Sequence, residues 1–290
     1  MGFSNLLSLL TVTSLWISAG AAWLLAPTGW PCFAAAIFYF LVLWIHRRAL
    51  SEWMHEAAHF NFHPHRVWND RILNLLAGPF FFEEMSLHRL KHFYHHHDHG
   101  FFHESDPDTG LLLIRTRRGL LWGIVADLSG WTGIRALKTP LPIKVPAHIR
   151  RKDLCLKGLA GVAYSLALVV LVTEFQARGV ALLVLNFLIL IAFYPLFNRV
   201  RVYSQHIQLN PDGSGVLQGS RTSRTVWASG VDRIFMHSKV MMYHWEHHHY
   251  PSLHFRQLEQ ICTRDETDPN RFSRGYWRTW LRLCRSLPRN

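Results

Sequence analysis

Residues 1–45 contain no Asp, Glu, Lys or Arg. A water-soluble chain has to cover or bury an uncharged opening of that length completely, and few folds can do so. The rest of the composition points the same way. Hydrophobic residues make up 49% and charged residues 17%, against about 25% charged in an average globular chain. An ordinary soluble enzyme and a disordered basic protein are both excluded, and the chain reads as a membrane protein.

Four apolar stretches, at 6–26, 31–45, 154–175 and 179–197, are candidate spans. A span needs about 20 residues, so the second is expected to continue as helix beyond Ile45, to about residue 50, as it leaves the lipid. Its short links (Pro27, Thr28, Gly29 and Trp30 after the first stretch; Gln176, Ala177 and Arg178 after the third) pair the stretches as two hairpins. Of 31 Lys and Arg, 15 lie at 47–152 and 14 at 199–289, leaving only Lys157 and Arg178 elsewhere. Basic loops stay on the cytoplasmic side, so both termini and both polar segments are expected there. The first stretch lacks the basic n-region of a secretory signal and reads as a retained helix. The apolar stretches 72–82 and 119–130 are too short to span and read as interfacial or re-entrant. Near the end, Trp277, Trp280, Leu281 and Cys284 share a helical face opposed by Arg278, Arg282 and Arg285, a pattern suited to an anionic membrane surface.

Four cysteines lie far apart with no CxxC pair, so neither a disulfide framework nor a thiolate metal site is indicated. Histidine is the unusual residue. Of 20, 18 fall at 46–103 and 237–254. Three patterns stand out: His55-Glu-Ala-Ala-His59, His92-Phe-Tyr-His95-His96 and His244-Trp-Glu-His247-His248. On a helix, positions i, i+3 and i+4 share a side, so each pattern gathers its imidazoles. His97 and His249 fall about 100° further round and read as non-ligands. One four-coordinate ion cannot use eight imidazoles, so two metals are implied. Height agrees. Pro31 to His55 covers about 36 Å of helix, past a hydrocarbon core of about 30 Å. His206 lies about 40 Å along a helix counted from Gly179, at the same level, and is a ninth candidate ligand.

At this point the chain resembles the membrane-bound fatty acid desaturase superfamily, whose boxes HxxxH, HxxHH and HxxHH occur here in order. Arg89 precedes His92 as in the family's RxxHxxHH pattern, and Asp106-Pro-Asp108 resembles its DPD element. Arg201 and His206 sit where the family carries an Arg and an EH pair, with Gln205 replacing the acid. Ser220-Arg-Thr222 and Tyr250-Pro-Ser252 resemble the segments flanking box three. The resemblance implies an all-α membrane protein, a single domain over 1–290. Its four transmembrane helices form two hairpins, at about 6–26, 31–50, 154–175 and 179–200, under a cytoplasmic helical cap that carries a histidine-rich diiron site. It implies two Fe ions held by His55, His59, His92, His95, His96, His206, His244, His247 and His248, with Asp106, Asp108 and Glu56 supporting the ligand imidazoles. Some acyl-CoA desaturases carry an Asn four residues before the counterpart of His206, where this chain has Val202. No HPGG haem motif is present, so a separate electron donor of ferredoxin, rubredoxin or cytochrome b5 type is expected.

The function implied is O2-dependent oxidation of an unactivated C–H bond in a lipid-like substrate. Fatty acyl desaturation, a step of fatty acid metabolism, is favoured over hydroxylation or ketolation of a lipid or carotenoid. Two rivals come from other classes. HEAAH is also the zinc metalloprotease signature, with Glu56 as general base and Glu104 to Asp108 resembling a third-ligand motif; that reading leaves the other boxes without a role. A metal transporter would place its ligands near the bilayer midplane, whereas these boxes lie outside the spans. The basic cytoplasmic face follows from topology and lipid attraction, and it would also suit an acidic electron donor. Nucleic acid is not needed to explain a net charge of +12. His88 and His99 share the face of box two, and His63, His65, His46, His103, His148, His237 and His254 have no assigned role.

Overall fold

The computed structural model describes residues 2–96, 106, 116–138, 141–209, 216–217 and 223–289. The chain is mostly helical. Among the described residues, three helical runs are long and apolar enough to cross a membrane: Gly2–Leu25, Trp30–Ala58 and Ala147–His206. Packing divides the chain into two compact units, Met1–His88 with Pro146–Leu190 and Arg89–Val145 with Ile191–Asn290.

The first unit opens with α1 (Gly2–Leu25), a turn at Gly29 and α2 (Trp30–Ala58), whose Pro31 sits in the first turn. Gly29 has φ 86°, a backbone conformation that side chains disfavour. At 29 residues α2 is about 43 Å long, well beyond a hydrocarbon thickness, and its far end carries box one. Helices α3 (Arg66–Leu76) and α4 (Gly78–Phe81) then fill much of the stretch 72–82, and α5 (Met85–His96) follows. After α6 (Arg117–Leu128) and α7 (Trp131–Lys138), α8 (Ala147–Leu188) returns to this unit. Within α8, Gln176 has non-helical angles (φ 49°, ψ −124°). A Cβ built on Gly179 would lie 2.0 Å from the Leu171 carbonyl oxygen. Those residues are eight apart and would be about 12 Å apart in a straight helix, so the backbone folds back between them. Arg178 Nη1 donates to the Leu24 and Ala26 carbonyls at 3.1 and 2.6 Å, capping the end of α1.

The core of this unit joins Ala19, Trp23, Tyr39, Val42, Leu43, Leu182 and Ile189. A polar network runs through it. Asn186 Nδ2 and Trp16 Nε1 donate to Tyr39 Oη at 2.6 and 3.2 Å, and Arg47 Nη2 donates to Asn186 Oδ1 at 2.7 Å. The buried Arg47 guanidinium also lies over the Phe80 ring at 4.2 Å, a cation–π contact suited to an apolar setting.

The second unit holds α6 (Arg117–Leu128), α7 (Trp131–Lys138) and, after a π-helical turn at Ile189–Phe193, α9 (Tyr194–His206). Among the described residues, four short strands accompany the helices. β1 (Gln208–Leu209) pairs antiparallel with β2 (Val216–Leu217), and β3 (Thr225–Trp227) pairs parallel with β4 (Phe272–Arg274). Between them lie α10 (Val231–Phe235), a 3₁₀ turn (Lys239–Met241), α11 (His244–His249) and α12 (Phe255–Ile261), and α13 (Tyr276–Ser286) ends the chain. Leu120, Val202, Tyr203, Ile207, Leu283 and Leu287 form the core. Arg199 joins α9 to α6 by a buried two-point ion pair, Nε and Nη2 donating to Asp127 at 2.5 and 3.0 Å.

One reading of an apolar face changes here. In α13 the inward face is Tyr276, Thr279 and Leu283, with Trp280 and Cys284 packed against the core, while Trp277 and Leu281 are exposed. The stripe read from the sequence is therefore split, because the helix has a protein neighbour as well as an outer side. Most of the stretch 119–130 is helical, and α6 exposes Leu121, Trp122, Val125 and Leu128 opposite its buried Leu120 and Asp127.

Candidate metal centre

Each histidine cluster takes its geometry from the helix beneath it. Box three occupies α11, a single short helix, so His244, His247 and His248 emerge on one side. Box two occupies the last turns of α5, and His206 is the final residue of α9. Within the second unit these elements form a four-imidazole set. The ligand nitrogens of His95, His206, His244 and His248 all lie within 4.8 Å of one another. His206 Nε2 is 3.2 Å from His95 Nε2 and 2.9 Å from His244 Nε2, and His248 Nε2 is 3.1 Å from His244 Nε2.

Chemistry decides what such a set can hold. A metal bound to imidazole at about 2.0–2.1 Å places neighbouring donors about 2.9–3.4 Å apart, the range from octahedral to tetrahedral edges. The observed spacings fall in that range. Hydrogen bonding between the rings accounts for them less well, because a neutral imidazole has one N–H. That of His95 is engaged outside the set: Nδ1–H donates to Asp106 Oδ1 at 3.1 Å, which leaves Nε2 a lone pair facing inward. Burial, then the neighbouring rings, hold His244 and His248 well below the usual histidine range, and Arg201 adds to the effect on His244. Neutral imidazoles with converging lone pairs are what a transition metal requires, so the donor set fits such an ion.

The same unit brings together His92, His96 and His247, again within 4.8 Å, with His247 Nε2 3.2 Å from His96 Nε2. The His96 and His248 rings stack at 4.0 Å and 13°, so the two sets share a face-to-face contact. In the first unit, His55 lies in the last turn of α2 and His59 caps it, their rings 5.8 Å apart. Glu56 is buried, its Oε1 3.7 Å from His55 Nδ1.

Histidines read as non-ligands sit elsewhere. His249 points out of both sets, its Nδ1–H donating to the Trp245 carbonyl at 2.7 Å and its ring stacked on Trp245 at 3.9 Å. His88 pairs with Glu83 at 3.0 Å. His237 is buried beside Phe197 and Tyr276, and His254 caps α12. His97, His99, His103, Glu104, Asp108 and the Ser220–Arg–Thr222 segment lie outside the described residues. Val202, where some relatives carry an Asn, packs in the apolar core of its unit.

Several residues outside the histidine boxes support the set. Gln205 Nε2 donates to the Met241 carbonyl at 3.2 Å and to Tyr276 Oη at 2.9 Å, tying the end of α9 to the turn before box three. The Thr225 hydroxyl donates to Glu246 inside box three, and Arg224 reaches the carbonyl next to Gln205. A second copy of Ser-Arg-Thr, at 223–225, is the available signal for these two residues.

Residues 28–280 match the fatty acid desaturase family. No curated protein and no solved structure matches the chain. The family match covers most of the 290 residues and includes all three boxes, and the chain belongs to the fatty acid desaturase family.

Proposed function

We propose that this chain is an O2-dependent integral membrane oxidoreductase that desaturates a fatty acyl chain at a diiron site. The observation that carries the reading is the buried set of His95, His206, His244 and His248, whose nitrogen spacings suit a metal ion. His92, His96 and His247 would hold the second iron, and the family resemblance adds His55 and His59 to the ligands. Imidazole suits zinc and copper as well as iron; iron is chosen on the family. Bound there, two irons would supply O2 activation and oxidation of an unreactive C–H bond, with two electrons drawn from a separate ferredoxin, rubredoxin or cytochrome b5 type of donor.

The protein's own part is positioning and exclusion. Asp106 holds His95 in the Nδ1–H tautomer, as residues behind a ligand commonly do. Burial of His95, His206, His244 and His247 keeps bulk water from the donor atoms, which suits a reaction with reactive intermediates. Glu56 and Asp108 are assigned supporting roles like that of Asp106. The zinc protease reading uses only box one and is set aside because it leaves the four-imidazole set unused.

Four spans in two hairpins are supported by the length of the run Ala147–His206. Its 60 residues would be about 90 Å of helix, three times a hydrocarbon core. The reversal at Gln176 divides it. The basic residues at 47–152 and 199–289 support a cytoplasmic position for both termini and for a helical cap bearing the metal centre. The chain is read as one integral membrane domain over 1–290, with the acyl tail entering between the spans.

Mass spectrometry of lipid extracts from cells expressing the protein, with His95→Ala as control, tests the reaction. Acyl chains lacking two hydrogens are the expected result. Species gaining one oxygen would move the assignment to a hydroxylase or ketolase of lipid or carotenoid using the same donors. Lipids unchanged by a protein that carries no iron would overturn the reading.

A further inference from the structure

Two adjacent residues outside every histidine box grip two of the three elements that carry the four-imidazole set, those of His206 and of box three. Arg224 is fully buried, and each of its nitrogens meets an oxygen. Nη1 donates to the Ser204 carbonyl at 2.7 Å, two residues before His206. Nε donates to the Pro269 carbonyl at 2.7 Å and Nη2 to Asn270 Oδ1 at 3.2 Å. The next residue, Thr225, uses its hydroxyl in both senses. It donates to Glu246 Oε2 and accepts from the Trp245 N–H at 3.2 Å. A hydroxyl has one proton, so the polarity of these two bonds is fixed: the proton goes to the carboxylate and a lone pair to the amide.

Trp245 and Glu246 stand between His244 and His247. Their helix, α11, has six residues, too few to hold its shape alone. The Trp245 amide belongs to its first turn, where N–H groups have no partner inside the helix. Thr225 therefore caps box three from outside while also holding its buried carboxylate. The gripping point is itself fixed. Thr225 pairs with Phe272 across the β3–β4 ladder, and its N–H donates to the Arg271 carbonyl at 2.9 Å.

We infer that Arg224 and Thr225 are positioning residues that set the separation of His206 from His244 and His248, holding three of the four nitrogens at metal-binding spacing. This rests on the reading that the set binds a metal. A polydentate site works only when its donors are held within about 0.5 Å of the required geometry. His206 and α11 lie far apart in sequence, and the strand start at 224–225 is bonded directly to the element of each.

The test is an anaerobic titration of the full-length, metal-stripped protein in detergent with ferrous ion, counting iron per chain and measuring affinity. Wild type, Thr225→Ser, Thr225→Val and the double variant Thr225→Val with Glu246→Leu are compared. Wild type is expected to bind two irons. Thr225→Val should keep one and bind the other about 10–100-fold more weakly, the range for residues behind metal ligands. Thr225→Ser, which keeps the hydroxyl, should restore both. Thr225→Val also leaves a buried carboxylate short of a donor, which destabilises the fold by itself. The double variant removes that carboxylate and should recover part of the lost melting temperature, the Trp245 N–H still lacking its acceptor, while still binding one iron weakly. It decides the matter if the single variant fails to fold. Two tightly bound irons in either Val variant would overturn the inference alone, and so would equal loss of both irons from a folded variant. No iron in wild type would overturn the metal reading, and the inference with it.

Discussion

His95 Nδ1 lies 3.1 Å from Asp106 Oδ1, while Nε2 of the same ring lies 3.2 Å from His206 Nε2. One carboxylate thus decides which nitrogen of His95 keeps the proton and which faces the metal set. Replacing Asp106 by Ala removes that choice, and iron affinity at the four-imidazole set should fall about 10–100-fold. Asp106→Asn retains an acceptor oxygen and should fall less. Iron per chain in dialysed protein measures both, and an unchanged count in Asp106→Ala would remove Asp106 from the centre.

Box three ends in three consecutive histidines of which the middle and first face metal sets and the last does not. His247→Ala should lose iron and activity. His249→Ala should retain both, since its ring is occupied with the Trp245 carbonyl and indole. Equal loss at the two positions would show that the helix presents its imidazoles differently.

The Asp127–Arg199 pair is buried on both sides. Asp127→Ala leaves a guanidinium in an apolar setting without its counter-charge and should cost about 3–5 kcal/mol, read as a lower melting temperature. Replacing both residues by apolar ones of similar size should cost far less. Gly123→Ala tests the same contact from the other side: its Cβ would lie 2.8 Å from the Arg199 guanidinium carbon, which Asp127 prevents from moving away.

His254 caps α12 by accepting a hydrogen bond from the Arg256 N–H at Nδ1 (3.3 Å). Only the unprotonated ring can accept. Burial, with Arg256 nearby, lowers its pKa to about 4, whereas an unfolded histidine titrates near 6.5. Between those values the unfolded chain holds more protons, so this contribution is complete above about pH 6.5 and is lost as the pH falls toward 4. His254→Asn keeps a capping acceptor and should flatten that part of the profile of melting temperature against pH. Parallel profiles for the two proteins would show that His254 stays neutral for another reason.

Features with a local period were legible in the sequence. The helical faces of His92, His95 and His96 and of His244, His247 and His248 follow from spacing alone. The break at Gln176 sits in a link too polar to belong to either apolar stretch. Contacts between distant segments left no such trace. Asp127 and Arg199 are 72 positions apart, and nothing in either neighbourhood names the other. The face of α13 was misread because Trp280 and Cys284 pack inward while Trp277 and Leu281 do not, a choice made by the neighbour and not by the helix. Strands of two or three residues are too short to show alternation. The repeated Ser-Arg-Thr drew attention to 220–222, whereas the copy at 223–225 holds box three.

The grip of Arg224 on Pro269 and Asn270 also has a consequence in time. His95 and His206 are 111 positions apart, and His96 and His247 are 151 apart. Arg224 gains its full set of partners only when residue 270 is present. A ribosome releases the chain from its N-terminus onward at about 5–20 residues per second. Box two is therefore made long before the segments that complete its surroundings. The four-imidazole set closes near the end of synthesis, so any metal it takes is supplied to an almost finished protein.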